Sequence, residues 1–242
     1  MGALFSFVYG VVVYVFFLGT FFYAIAFIGD VVVPKTIDTG TPVSLAEALT
    51  VNLLLLGIFA VQHSVMARRS FKSWWSRIVP QHVERSTYVL AATLALALLI
   101  WQWRPIAEPI VWKVTTNLGT QILWTVFGLG WAILLFSTFL INHFELFGLR
   151  QVVSRMIGRE IPEPEFRTPL LYRYVRHPIY LGFLLGFWST PVMTAGHLLF
   201  AVGGTGYILI GIWFEERDLV AQFGDRYRRY RSQVGMLFPS RR

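Results

Sequence analysis

Long apolar segments alternate with polar, charged segments along almost the whole chain. A membrane-spanning helix needs about 20 apolar residues to cross roughly 30 Å of hydrocarbon. Five runs approach or exceed that length: Leu4–Ile28, Leu45–Met66, Tyr88–Trp103, Gln121–Ile141 and Ile179–Phe214. The last run is too long for one span, and the stretch STPVMTAGH (189–197) interrupts it with a turn-forming proline and glycine. The pattern therefore predicts an all-α, polytopic membrane helix bundle with about six spans, or with five spans if the last helix is only broken.

Composition supports the membrane interpretation. The 242 residues are 55% hydrophobic and only 14% charged, whereas a soluble domain has roughly 25% charged residues. The first apolar segment lacks a basic region before it and is longer than the core of a signal peptide, so we interpret it as a retained span. The chain has no cysteine, which excludes disulfides, thiolate metal ligands and cysteine nucleophiles.

The net charge of +8 indicates topology rather than nucleic-acid binding. Three segments, residues 67–87, 142–178 and 215–242, contain 18 of the 21 lysines and arginines. Because loops rich in Lys and Arg stay in the cytoplasm, these segments and both termini are predicted to be cytoplasmic. Six spans give this parity and five do not. We expect an integral protein of a bacterial inner membrane, in contact with lipid and without a nucleic-acid partner.

Two charged clusters flank the final apolar hairpin. The stretch YRYVRHPIYLGF (172–183) places Arg176 and His177 before its first helix, and WFEERDL (213–219) places Glu215 and Glu216 at the end of its second. The hairpin predicts that the two clusters lie together at the cytoplasmic surface. Pro178 suits the first turn of a helix, whose free N–H groups favour an anion. The alternative is that these side chains only anchor lipid headgroups and pair with one another.

The order and spacing of these clusters resemble the isoprenylcysteine carboxyl methyltransferase superfamily of membrane enzymes. That pattern comprises RHPxYxG, a hairpin, and a tail that this chain carries as EERDLVAQFGDRYRRYRSQVGMLFP. The stretches NHFELFGLRQV (142–152), QHSVMARRSFK (62–72) and ERSTYVL (84–90) resemble the bacterial branch that methylates methanethiol to dimethyl sulfide. NnrU-type membrane proteins share parts of the same N-terminal half.

The resemblance implies an S-adenosylmethionine site at the hairpin ends, with S-adenosylhomocysteine as its product. Carried over residue by residue, its predicted members are Arg176, His177, Tyr180, Gly182, Glu215 and Glu216. A carboxylate of the cofactor suits the arginine and the helix N-terminus, whereas its ammonium and hydroxyl groups suit the paired acids. Tyr180, Trp188 and Trp213 are aromatic candidates for contact with its sulfonium.

Polar residues near two other span ends are candidates for acting on a thiol. His143, Glu145 and Tyr172 are candidate bases for forming the thiolate, and the sequence does not rank them. Gln62, His63 and Asn142 are predicted to line a substrate pocket, with hydrogen bonding between helices as the alternative. On a continuous helix, Asn142 and Glu145 would share one face. No HxxxH or HxxE spacing supports a metal site, and we predict none.

The C-terminal region completes the predicted architecture. Apolar residues recur at helical spacing from Leu219 to Val234 between arginines, which predicts an interfacial amphipathic helix. We expect one membrane domain, 1–242, whose residues 170–242 carry the cofactor hairpin and tail. The predicted function is S-adenosylmethionine-dependent methylation of a small thiol, methanethiol first. The alternatives are methylation of a lipid-like or prenylated substrate and, from another class, a non-enzymatic membrane subunit or transporter.

Overall fold

The computed structural model describes residues 2–160 and 166–239. Within these ranges the chain is mainly helical, as predicted. The helices are α1 Ala3–Ile28, α2 Leu45–Ala67, α3 Arg69–Trp75, α4 Gln81–Gln102, α5 Asn117–Ile141, α6 His143–Leu146, α7 Leu149–Ile157, α8 Pro178–Trp188, α9 Ala195–Phe223 and α10 Asp225–Gln233. The strands are β1 Ile110–Lys113 and β2 Val192–Thr194, and a 3-10 turn spans Leu170–Arg173. The arginines at 241 and 242 that entered the charge argument lie outside the described residues.

Five of the described helices, α1, α2, α4, α5 and α9, are long and apolar enough to cross a membrane. The predicted polytopic helical membrane protein is therefore confirmed. The sixth apolar helix, α8, has 11 residues. At 1.5 Å per residue it is about 16 Å long, too short to cross the hydrocarbon alone.

The described contacts divide the chain into two compact units. The first comprises residues 1–109, 143–163 and 195–197, and the second comprises 110–142, 164–194 and 198–242. Each unit is thus assembled from three separate segments, which alternate along the chain. The prediction of a single domain stays a prediction.

In the first unit, α4 packs against α1 and α2, and α7 packs against α1. Tyr88 and Val89 of α4 form a buried cluster with Val13 of α1. The α1–α7 contact is so close that a Cβ at Gly10 would lie 2.6 Å from Val152. Because side chains cannot approach so closely, Gly10 is the residue that permits this helix pair.

The second unit is centred on α5 and α8, which pack against each other along their length. Backbone meets backbone at Gly130 and Gly182, where a Cβ added to Gly182 would lie 2.5 Å from the Gly130 carbonyl oxygen. One turn further along α8, a Cβ at Gly186 would lie 2.7 Å from the Trp131 ring. Small residues at such crossings let helices approach closely, which supplies packing energy where lipid offers no hydrophobic driving force.

A two-stranded sheet, which the sequence did not predict, follows α8. Strand β2 pairs antiparallel with β1, immediately before α5, and the Val114 amide donates to the Pro191 carbonyl at 2.8 Å. The chain thus runs from the C-terminal end of α5 back to its N-terminal end by combining α8 with extended residues 189–194. The pairing with β1 satisfies backbone hydrogen-bonding groups of this extended segment.

Helix ends differ from the predictions in three places. Helix α4 begins at Gln81, so Arg85 lies in its second turn rather than in a basic loop. Helix α5 ends at Ile141 with Asn142 as its cap, and Glu145 lies in the separate helix α6, so the two residues do not share the face of one continuous helix. The predicted amphipathic helix from residue 219 is also wrong in its start. Gly224, at φ +56° and ψ −132°, separates α9 from α10 because this conformation suits only glycine.

Local sequence signals set the starts of two helices, and that of α8 agrees with the prediction made for Pro178. Pro178 lies in the first turn of α8, where its missing N–H breaks no hydrogen bond. Ser44 caps α2 by accepting a hydrogen bond from the Glu47 amide at 3.2 Å. These starts therefore follow from single residues and their immediate neighbours.

Candidate functional site

The ends of α8 and α9 carry a compact cluster of charged side chains in the second unit. Arg176 Nε lies 2.8 Å from Glu216 Oε1, and His177 Nε2 lies 3.2 Å from the same oxygen. Glu215 Oε2 lies 3.7 Å from His177 Nδ1. His177 is only 4% exposed, whereas Glu215 is 45% exposed. The predicted meeting of the two charged clusters is therefore present in the structure.

Arg176 also forms hydrogen bonds that connect the C-terminal segment, residues 231–235, to this cluster. Its guanidinium donates to the carbonyls of Arg231 and Val234. Its backbone amide donates to the Gly235 carbonyl at 2.9 Å, and Val175 pairs with Gly235 in a parallel bridge. Glu216 therefore neutralises an arginine whose other hydrogen bonds hold the residues after α10.

A cavity of about 410 Å³ lies beside Arg176 and Glu216, within the roughly 300–1,000 Å³ typical of small-molecule sites. Its lining is Arg176, Glu216, Arg231, Ser232, Val234, Gly235 and Met236. Sequence reasoning found the first two of these and missed the rest. The missed residues become part of the site through the β-bridge between Val175 and Gly235. Because this bridge joins segments about 60 residues apart, no local sequence pattern predicts it.

Three tyrosines surround this cluster. The Tyr230 hydroxyl donates to the Tyr172 carbonyl at 2.5 Å, and Tyr172 donates to the Ser137 carbonyl at 3.4 Å. The Tyr227 hydroxyl is buried and has no hydrogen-bond partner among the residues that the structure describes. Burial, and then the charge of Glu216, raises the pKa of Tyr227. Sequence reasoning treated Tyr227 only as a member of an apolar stripe, because nothing in the sequence distinguishes its hydroxyl.

The other predicted cofactor residues have less direct places. The Tyr180 ring lies 5.6 Å from the His177 ring, one turn into α8. Gly182 has no side chain, which allows its close backbone contact with Gly130 on α5. Its cofactor-binding role stays a prediction. Of the candidate sulfonium contacts, Trp188 lies at the far end of α8 and donates to Thr205 at 2.9 Å, so it does not join the cluster.

The candidate base His143 lies in the first unit, in contact with several aromatic rings. Its Nε2 lies 2.7 Å from the Tyr14 hydroxyl, and its ring centroid lies 4.8 Å from that of Phe147 and 5.4 Å from that of Phe144. The side chain is buried, and this burial lowers the pKa of His143 below its ordinary value. The imidazole is therefore neutral at pH 7 and able to accept a proton.

The other two candidate bases are less suited to accepting a proton. Glu145 Oε2 is held by Arg150 Nη1 at 2.6 Å. Burial first, and then the charge of Glu215, raises the pKa of Tyr172 far above its ordinary value, so its phenol stays protonated. At neutral pH Tyr172 can donate a hydrogen bond but cannot serve as the base.

The predicted pocket residues occupy both units. His63 Nε2 lies 2.9 Å from the Tyr88 hydroxyl, and Gln62 donates to the Met66 sulfur at 3.2 Å. The Gln62 carbonyl oxygen is buried without a hydrogen-bond partner in the described residues. Gln62 and His63 lie in the first unit, whereas Asn142 ends α5 in the second. The described residues include no group of three side chains suited to a metal ion.

Comparison with known proteins gives close relatives along nearly the whole chain. It is 58% identical over 232 residues to a methanethiol S-methyltransferase of Mycobacterium tuberculosis, covering 96% of this chain and 95% of the relative. It is 56% identical over 237 residues to methanethiol S-methyltransferase 1 of Bradyrhizobium diazoefficiens, covering 98% and 83%. Nurim of Bos taurus is 31% identical over 186 residues, covering 73% and 70%. No family model and no solved structure matches.

Proposed function

The chain belongs to the methanethiol S-methyltransferase family, and from this premise we propose that it transfers a methyl group from S-adenosylmethionine to methanethiol. The new bond joins the methyl carbon to the thiol sulfur, the bond from that carbon to the sulfonium breaks, and the thiol proton is released. The products are dimethyl sulfide and S-adenosylhomocysteine. The observation that carries this proposal is 58% identity over 95% of a relative of that name.

We propose that the donor binds at the charged cluster of the second unit. When bound, S-adenosylmethionine supplies an electrophilic methyl group on a sulfonium. Its carboxylate suits Arg176 or Arg231, and its ammonium and hydroxyl groups suit Glu215. Glu215 is the more available acid because Glu216 is already occupied by Arg176 and His177. The unpartnered Tyr227 hydroxyl supports this assignment, since a buried donor is costly unless a ligand or water completes it.

Glu216 has a different role in this proposal. It holds Arg176 and His177 in place, and Arg231 Nη1 lies 3.8 Å from its second oxygen. Removing one partner of a partly buried ion pair leaves the other charge uncompensated. Glu216 is therefore a positioning residue, whereas Glu215, which is 45% exposed and 3.7 Å from His177 Nδ1, contacts the donor directly.

We propose His143 as the group that accepts the thiol proton. A buried neutral imidazole hydrogen-bonded to Tyr14 can hold either protonation state, because a tyrosine hydroxyl can donate to Nε2 or accept from it. The surrounding rings of Phe144 and Phe147 provide an apolar wall that suits a methyl-sized thiol and excludes water.

Purified protein tests the reaction directly. With methyl-labelled S-adenosylmethionine and methanethiol, we expect labelled dimethyl sulfide in the headspace. A prenylated cysteine analogue serves as the competing acceptor. Label found only in the prenylated product would exclude the small-thiol proposal and favour the lipid-like alternative. Transfer to neither acceptor would contradict the enzymatic proposal altogether.

Calorimetric titration with S-adenosylhomocysteine tests the cofactor site. Glu215→Gln should weaken binding about tenfold or more, the value of one charge-assisted hydrogen bond, while the protein remains as stable as the parent. His177→Ala and Glu216→Ala should weaken binding and also lower the unfolding temperature. Parental affinity in all three variants would place the donor site elsewhere.

A further inference from the structure

A second cleft, of about 430 Å³, lies in the second unit and shares no lining residue with the cavity beside Glu216. It is lined by Phe166, Arg167, Thr168, Pro169, Arg173 and Arg226. Three of these six residues are arginines, and none of the described lining residues is acidic. We call this feature the arginine cleft.

Three of the four arginines of α10 have different partners, and Arg226 is the one that lies against an aromatic ring. Arg228 Nη1 lies 2.7 Å from Asp225, and Arg231 Nη1 lies 3.8 Å from Glu216. Arg226 instead lies over the Phe166 ring, with Cζ 5.4 Å from the centroid. A guanidinium stacked on an aromatic face loses no hydrogen-bonding capacity, because all its donors lie in its plane.

Arg173 reaches the cleft from the 3-10 turn on its other side. Like Arg226, it is exposed and forms no ion pair with any acidic residue that the structure describes. Two guanidinium groups from separate segments thus line one concave surface, and no described residue of its lining supplies a compensating carboxylate. Such an arrangement lowers the local potential energy of an anion, most of all one that accepts paired hydrogen bonds.

The two walls of the arginine cleft are held together by the structure itself. The Tyr230 hydroxyl of α10 donates to the carbonyl of Tyr172, which lies next to Arg173. The Phe166 ring contacts the rings of Phe223 and Tyr230, each at 5.4 Å between centroids. Because both walls are already ordered without a ligand, binding does not incur the entropy cost of ordering them.

We propose that the arginine cleft binds a phosphate group through Arg173 and Arg226, with the Thr168 hydroxyl as a further donor. Arginine matches phosphate because its planar fork donates two parallel hydrogen bonds to two oxygens. The phosphate can belong to the headgroup of an anionic phospholipid or be free inorganic phosphate. The contact of Phe166 with Phe223, the last residue of a candidate membrane span, places the cleft beside the end of that span.

The experiment uses the full-length protein in a non-ionic detergent at low ionic strength. Calorimetry would measure the binding of soluble dihexanoyl phosphatidylglycerol, its phosphatidylcholine counterpart and inorganic phosphate. The test variant is Arg173→Gln with Arg226→Gln. The control is Arg229→Gln, which removes the same kind of charge from an exposed position of α10 outside the cleft. Each variant is first shown to elute and to be helical like the parent.

The parent should bind phosphatidylglycerol or inorganic phosphate more tightly than the zwitterionic phosphatidylcholine, and the double variant should bind that anionic probe at least about tenfold more weakly. The control should stay within about twofold of the parent. Preference for phosphatidylglycerol over inorganic phosphate would identify a headgroup as the source, and equal binding would identify free phosphate. No binding by the parent, or an equal loss in Arg229→Gln, would overturn the proposal. If the double variant does not fold, each single variant is held to the same comparison.

Discussion

At the scale of single residues, the buried hydroxyl oxygen of Tyr227 is a candidate contact for a ligand. Its side chain is 2% exposed, yet its hydroxyl has no partner among the described residues, and Tyr230 one turn later donates to a backbone carbonyl. Both tyrosines occupy equivalent positions in the same sequence pattern. Only the fold distinguishes the hydroxyl of Tyr230, which bonds to the backbone, from that of Tyr227, which is buried without a partner among the described residues.

Tyr227→Phe should therefore weaken S-adenosylhomocysteine binding by about two- to tenfold, the value of one neutral hydrogen bond. The variant should be at least as stable as the parent, because it removes a buried donor that the protein leaves unsatisfied. Tyr230→Phe is the matched control, and it should lower the free energy of unfolding by about 0.5–1.5 kcal/mol through the lost bond to Tyr172. Calorimetry and thermal unfolding measure the two effects. Unchanged affinity in Tyr227→Phe would remove Tyr227 from the site.

His143 carries a prediction about pH. Because burial lowers its pKa below 6.5, the acid limb of kcat/KM should lie below that pH. The folded state disfavours the imidazolium. The contribution of neutral His143 to the free energy of unfolding is therefore fully present above about pH 6.5, and it is lost as the pH falls through the lower folded-state pKa. His143→Gln should reduce kcat about 10²- to 10⁴-fold and abolish the acid limb. Tyr14→Phe should keep the limb, and an acid limb that survives in His143→Gln would assign it to another group.

At the scale of elements, glycines determine whether α8 can pack on α5. A Cβ at Gly182 or Gly130 would enter the backbone of the facing helix, whereas a Cβ at Gly128, on the same α5, meets nothing within 4 Å. Gly182→Ala and Gly130→Ala should therefore each lower the free energy of unfolding by roughly 1–3 kcal/mol through overpacking. Gly128→Ala should be neutral or slightly stabilising because alanine has the higher helix propensity. Thermal unfolding in detergent measures all three, and equal effects at the three positions would contradict the assigned packing.

The sequence predicted the elements where local physics dominates. Runs of apolar residues set the long spans, and single capping residues set the starts of α2 and α8. It did not predict the β1–β2 pair, because residues 110–113 and 192–194 carry no alternating pattern and meet only after α5 and α8 have packed. The apolar residues from Leu219 to Val234 keep helical spacing on both sides of Gly224. Their pattern therefore did not reveal that the helix is interrupted at Gly224, which has a positive φ.

At the scale of the whole molecule, family and membrane character could be predicted, whereas the extent of the site could not. The RHPxY and EE motifs identified Arg176 and Glu216 because a motif is recognised from the order and spacing of its residues, without knowledge of tertiary contacts. The lining residues from Arg231 to Met236 depend on the long-range bridge between Val175 and Gly235. Contacts of that kind are set by tertiary packing and leave no period in the sequence.

Membrane topology is the property of the whole chain that remains to be measured. Helix α8 is too short to span alone, and the prediction that it crosses together with the extended residues 189–194 gives six crossings in total. Six crossings put both termini on one side. The concentration of Lys and Arg in residues 67–87, 142–178 and 215–242 predicts that this side is the cytoplasm.

Reporter fusions test this arrangement. A fluorescent protein that folds only in the cytoplasm should be fluorescent at both the N- and C-terminus, and alkaline phosphatase at the C-terminus should be inactive. Phosphatase fused after Thr39, in the loop between α1 and α2, should be active, because that loop has one lysine and no arginine and is predicted to face outward. Active phosphatase at the C-terminus would mean that α8 and residues 189–194 turn back without crossing. It would also put Arg176 and Glu216 on opposite faces of the membrane, which contradicts the 2.8 Å ion pair between them.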